Sequence, residues 1–105
     1  MAADFIATLH YKKTEDGGRT GIVYSGYRPL IQFEFDTMPT SGEQKFLGKN
    51  EVNPGETVKA EIRIVGVDYF AGKLKEGIKF EFKEPQRVMG TGVIEEVLNP
   101  KLKTV

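Results

Sequence analysis

The sequence predicts an all-β domain, a small antiparallel barrel or sandwich of about six half-buried strands. Three observations carry this. Apolar and polar residues alternate with period two in stretches along the whole chain. Gly- and Pro-containing turns separate the stretches. No window repeats apolar residues at helical spacing, so helix is limited to a turn or two.

Phe5, Ala7, Leu9 and Tyr11 alternate with Ile6, Thr8, His10 and Lys12 and form the first strand. Gly17-Gly18 follows as a tight turn, because glycine takes positive φ without steric cost. Arg19 and Arg28 project near that turn. Ile31, Phe33 and Phe35 alternate with Gln32, Glu34 and Asp36, and the weakly patterned Gln44 to Leu47 makes a short strand. Pro54-Gly55 suits the central positions of a type II turn, since Pro presets φ and Gly accepts the positive φ that follows. It feeds a long strand carrying Val58, Ala60, Ile62 and Ile64 on one face. Ile78, Phe80 and Phe82 alternate with Lys79, Glu81 and Lys83, and Val88 to Val97 completes the set. Residues 99–105 read as a frayed tail. Closure into a barrel removes the exposed strand edges that a sandwich of this size would keep.

At 105 residues the chain is expected to form one domain with one core. It contains no cysteine, which excludes a disulfide framework and a thiolate metal site and fits a reducing cytoplasm. Formal net charge is zero, so the long-range field that drives non-specific binding to nucleic acid or anionic membrane is missing. Met1-Ala2-Ala3-Asp4 lacks a basic region followed by an apolar run, and no stretch approaches the ~20 apolar residues of a spanning helix. A soluble, unprocessed protein is expected.

Candidate catalytic chemistry is sparse. Gly90-Thr91-Gly92 lacks the Lys-Ser/Thr and the helix of a phosphate loop, and reads as small residues where the barrel wall bends. His10, the single histidine, stands on a polar strand face with no second ligand to share a metal. Glu34 and Asp36 share a strand face and are the one pair suited to calcium or acid–base work, although calcium usually takes its ligands from a folded loop. Glu95 and Glu96 point to opposite faces of their strand, and neither Ser25 nor Ser41 lies in a nucleophile elbow. A non-catalytic domain without cofactor or metal is the reading. Outer-face charges mix signs, as on a solvated sheet, and a basic cluster forms only if Arg19, Arg28, Lys83 and Arg87 converge from different turns.

An ordered set of motifs points further: Gly17-Gly18-Arg19, Gly26-Tyr27-Arg28-Pro29, Phe33, Asn53-Pro54-Gly55-Glu56, Gly77-Ile78-Lys79-Phe80, Lys83-Glu84, and Arg87 to Val93. In order and spacing they resemble the C-terminal (third) domain of elongation factor Tu, over about residues 5–98. The resemblance implies a six-stranded antiparallel closed barrel of Greek-key-like order. It also implies descent from a tRNA-carrying GTPase whose third domain packs on the GTPase domain and contacts the T-stem. The 105 residues hold no Gly-x4-Gly-Lys-Ser/Thr loop, so no binding or hydrolysis of GTP is expected.

By that resemblance Arg19 and Glu84 match family residues near the T-stem. Thr20 stands where the family has His, Leu30 where it has Gln, and Pro85-Gln86 where it has paired glycines. Proline removes an N–H and restricts the approach of a sugar-phosphate strand. Glu81 replaces a small apolar residue that faces the GTPase domain, and a buried unpaired carboxylate there would cost several kcal/mol. This face is therefore expected to be wet or to meet a different partner. The function expected is a stand-alone binding module for a protein partner. The alternative is a translation-associated RNA-binding domain using Arg19, Arg28, Lys83 and Arg87.

Overall fold

A computed structural model describes residues 2–104 and contains eight strands. They are β1 (Phe5–Tyr11), β2 (Val23–Tyr24), β3 (Leu30–Phe33), β4 (Thr40–Phe46), β5 (Glu51–Val52), β6 (Thr57–Ile64), β7 (Lys79–Glu84) and β8 (Arg87–Val97). Six close an antiparallel barrel in the order β1-β6-β4-β3-β7-β8, and β2 pairs with β5 in a separate ribbon. The strands β3, β4 and β6 form a meander, and β1, which precedes them in the chain, lies beside β6. That is the Greek-key-like order expected. Among the described residues the one helical element is a 3-10 turn at Thr14–Asp16.

The inward faces follow the period-two pattern where it is strict. Phe5, Ala7, Leu9 and Tyr11 of β1, and Val58, Ala60, Ile62 and Ile64 of β6, are buried. Phe80 and Phe82 of β7 lie opposite Gly92 and Gly90 of β8. A Cβ at Gly92 would overlap the Phe80 ring, and one at Gly90 would overlap both the Phe82 ring and the backbone oxygen of His10. The two glycines therefore make room for rings that fill the barrel, which differs from the bend in the wall that their sequence suggests. Phe33 meets Phe5, Phe80 and Phe70 at 5.0 to 6.0 Å between centroids, in tilted or edge-on geometry.

Two bulges adjust β8. Ile6 pairs with Glu96 and Ala7 with Ile94, so Glu95 is an extra residue. Glu95 and Glu96 are consequently both exposed, rather than on opposite faces. A second register shift separates Phe82 from Lys83 opposite Gly90 and Val88.

The segment after β8 is docked where fraying is expected. Leu102 is fully buried, its carbonyl accepts from Leu74 N–H at 2.8 Å, and Thr104 N–H donates to Leu74 at 2.9 Å. The Lys101 carbonyl accepts the Gly72 N–H and the Asn99 N–H donates to the Asp4 carbonyl, so a buried leucine and backbone bonds at both ends hold Asn99–Thr104 in place. Met1 and Val105, the ends of the N-terminal reading and of the frayed tail, lie outside the described residues. Among the described residues no helix is long and apolar enough to cross a membrane.

Candidate functional site

The two ends of the barrel differ in chemistry. One end is built by the loop after β1, the residues preceding β3, and the β7–β8 hairpin. Gly17 caps the 3-10 turn at φ 97°, and Gly18 N–H donates to Lys13 O at 3.0 Å. A Cβ at Gly18 would overlap the Lys12 carbonyl, so the chain passes there only as glycine. The turn delivers Arg19 to the hairpin, where its Nη1 lies 3.3 Å from Glu84 Oε2.

The same carboxylate oxygen accepts the Tyr27 hydroxyl at 2.7 Å, and the Arg19 guanidinium carbon lies 5.5 Å from the Tyr27 ring centroid. Burial, then the hydrogen bond to Glu84, raises the Tyr27 phenol well above its ordinary value. Beneath it, Tyr11 donates to Gln44 Oε1 inside the barrel, and burial raises Tyr11 further still. Gln44 is fully buried, and its Nε2 has no hydrogen-bond partner among the described residues.

The other expected site residues are placed as follows. Arg87 Nη1 donates to the Gly18 carbonyl at 3.3 Å, so it joins Arg19 and Glu84. Lys83 lies opposite half-buried Leu30 in the β3–β7 register, and its ammonium is bonded to Gln32 Oε1. Arg28 does not join the cluster: it meets Glu43 at 3.5 Å, a carboxylate already held by Arg63 at 2.9 Å. Thr20, Pro85 and Gln86 are exposed. Glu81 is exposed too, on the outer face of β7.

The catalytic candidates do not assemble. Chain direction changes after Phe33, so Glu34 and Asp36 lie in a turn and not on one strand face. Glu34 Oε2 accepts Lys79 N–H at 2.8 Å. Asp36 accepts Met38 N–H and the Tyr69 hydroxyl, each at 3.0 Å, and these bonds hold its carboxyl below the usual range, the backbone bond foremost. His10 Nδ1 lies 2.9 Å from Thr57 Oγ1. Among the described residues no group of three or more His, Asp or Glu side chains is arranged to hold a metal.

The turn at Glu34–Thr37 forms one wall of a feature that strand periodicity hides. A groove of about 660 Å³ runs over the outer faces of β3, β7 and β8, between Phe35 and Val93. Alternation with Ile31 and Phe33 predicts a buried Phe35, yet it is 44% exposed. Its ring stacks on Phe33 at 5.7 Å with a 10° tilt and meets Phe70 edge-on at 6.2 Å. Beyond it, Tyr69 is 47% exposed and carries Lys73 over its ring at 4.6 Å. The available signal was the Asp36-Thr37 break after Phe35, which ends the strand early. Compared with known protein families, the sequence matches no family model.

Proposed function

We propose that this chain is a non-catalytic binding module that docks on a protein partner and neither binds nor hydrolyses GTP by itself. The reading takes its scaffold from the resemblance to the third domain of elongation factor Tu and its chemistry from the residues. One observation carries it: each cation expected to meet RNA already has an acceptor within the chain. Arg19 is on Glu84, Arg28 on Glu43, Arg87 on the Gly18 carbonyl and Lys83 on Gln32. Phosphate would have to displace these contacts, and zero net charge supplies no field to offset that. A cytoplasmic compartment belongs to the same proposal, and a chain without cysteine is compatible with it.

A second reading has one observation in its favour. Arg19 and Arg87 reach the same barrel end, Arg19 over the half-buried Tyr27 ring and Arg87 on the Gly18 carbonyl, and guanidinium groups beside a ring suit an RNA strand. A gel shift with tRNA over rising salt separates the two. No complex at physiological salt is expected. Tight binding that weakens steeply with salt, and is lost in Arg19→Ala, would replace the protein-partner reading with the RNA one.

A further inference from the structure

We propose that the groove over β3, β7 and β8 seats a segment of a partner protein in which a basic side chain stands beside an apolar one. The inference rests on the protein-binding reading and adds where the partner sits and what it presents.

The apolar half is set by Phe35. An exposed aromatic ring is ordinarily free to move, but this one is fixed on two sides by Phe33 and Phe70. A ring already ordered loses little entropy when a ligand covers it. The groove is of the size that takes side chains: 660 Å³ lies within the range of about 300–1,000 Å³ found for ligand pockets.

The basic half is set by charge. Glu34, Asp36 and Glu81 line the groove against a single cation, Lys79. Of the carboxylates elsewhere, Glu43, Glu56, Glu84 and Asp68 pair with Lys or Arg, whereas Glu15, Glu51, Glu76 and Glu96 stand exposed and scattered over other parts of the chain. Among the described residues none of the three groove carboxylates pairs with Lys or Arg. The neighbouring Lys83, across the sheet from Leu30, is turned to the Gln32 amide. Glu34 is held through one oxygen by the Lys79 N–H, and Asp36 through both, by the Met38 N–H and the Tyr69 hydroxyl, so Glu81 and the second oxygen of Glu34 are the acceptors open to a ligand. Oriented carboxylates beside a fixed ring match an Arg or Lys flanked by an apolar side chain, with the guanidinium or ammonium also able to reach the ring face. A phosphate strand would be repelled by the same three groups.

The test is a selection of random peptides displayed on phage against the intact protein, followed by amide NMR mapping with the winning peptide. Winners are expected to join Arg or Lys to Phe, Leu or Trp, and to shift the amides of Phe35, Lys79 and Val93. Phe35→Ser and Glu81→Lys should each weaken the peptide about tenfold or more. Lys79→Glu should tighten it. Thermal melts confirm that these surface variants remain folded. Acidic or wholly apolar winners, or shifts confined to the Arg19–Glu84 end, overturn the groove assignment and leave the protein-binding reading standing. No winner at all, together with salt-dependent tRNA binding, overturns both.

Discussion

Tyr27 donates its hydroxyl to Glu84 at 2.7 Å across the barrel end, joining residues that lie 57 positions apart in the chain. Burial makes the phenol resist losing its proton, and the carboxylate acceptor adds to this. Tyr11, directly below, is held in the same direction by burial first and by Tyr27 next.

These two phenols predict an alkaline loss of stability. Their folded pKa values are raised above the unfolded value of about 10, so their contribution is present in full below that pH. As pH rises beyond it, the unfolded chain releases protons that the folded chain keeps, and stability falls. Urea unfolding midpoints should therefore hold below pH of about 10 and drop as the pH rises beyond it. In Tyr27→Phe the drop should be shallower. An equal slope in wild type and variant would show that Tyr27 does not titrate late.

Inside the same end, Tyr11 and Gln44 form a buried polar pair, and among the described residues the amide nitrogen of Gln44 has no partner. Gln44→Leu alone strands the Tyr11 hydroxyl and should cost about 1–3 kcal/mol. Tyr11→Phe combined with Gln44→Leu removes both polar groups and should recover most of that loss. A double-mutant cycle by urea denaturation reads the coupling directly. Additive losses would mean that the pair is not linked in the way its geometry indicates.

Glycine substitutions should rank by what the new Cβ meets. At Gly90 it meets the His10 carbonyl, which is part of the β1–β8 ladder and cannot retreat, as well as the Phe82 ring. Gly90→Ala is expected to cost about 1–3 kcal/mol through overpacking. At Gly42 the obstacle is the Ile31 Cδ1, the tip of a side chain that can change rotamer. Gly42→Ala should therefore be milder. Thermal melts of the two variants decide the order, and a reversed order would contradict this account of the wall.

The contrast between these positions explains what was readable in advance. The faces of β1, β6 and β7 were legible because each buries strictly alternating large apolar residues. In contrast, β4 buries Thr40, Gly42 and Gln44 on its inward face, so polarity conceals burial, and only its end at Gln44 to Leu47 carried a pattern. The two-residue strands β2 and β5 are too short for any period to show. At the Arg19 end the residues were identifiable, but their pairing was not. Arg19 and Glu84 lie 65 positions apart, and whether a cation is free or neutralised is a property of the folded chain. Phe35 was misplaced for a related reason: alternation continues in sequence for two residues after the strand has turned.

The tail gives the last prediction, because its hold on the barrel concentrates in few groups. Asp4 is buried, and its Oδ2 accepts Ile64 N–H at 2.8 Å while its Oδ1 accepts the Asn99 amide at 2.9 Å. The Asp4 carbonyl takes the N–H groups of Leu98 and Asn99, and Leu102 then fills the space beside Leu74. Leu102→Ala should cost about 2–5 kcal/mol if the tail belongs to the cooperative unit, which is the usual range for a buried leucine. Asp4→Ala should also destabilise, since it leaves the Ile64 N–H without its acceptor. Hydrogen exchange distinguishes a shared unit from a loosely docked strap. In the first case the amides of Leu74 and Thr104 exchange only as fast as those of β1 and β6; in the second they exchange early while the barrel stays protected. Full burial of Leu102 and the two-sided use of Asp4 argue for the first.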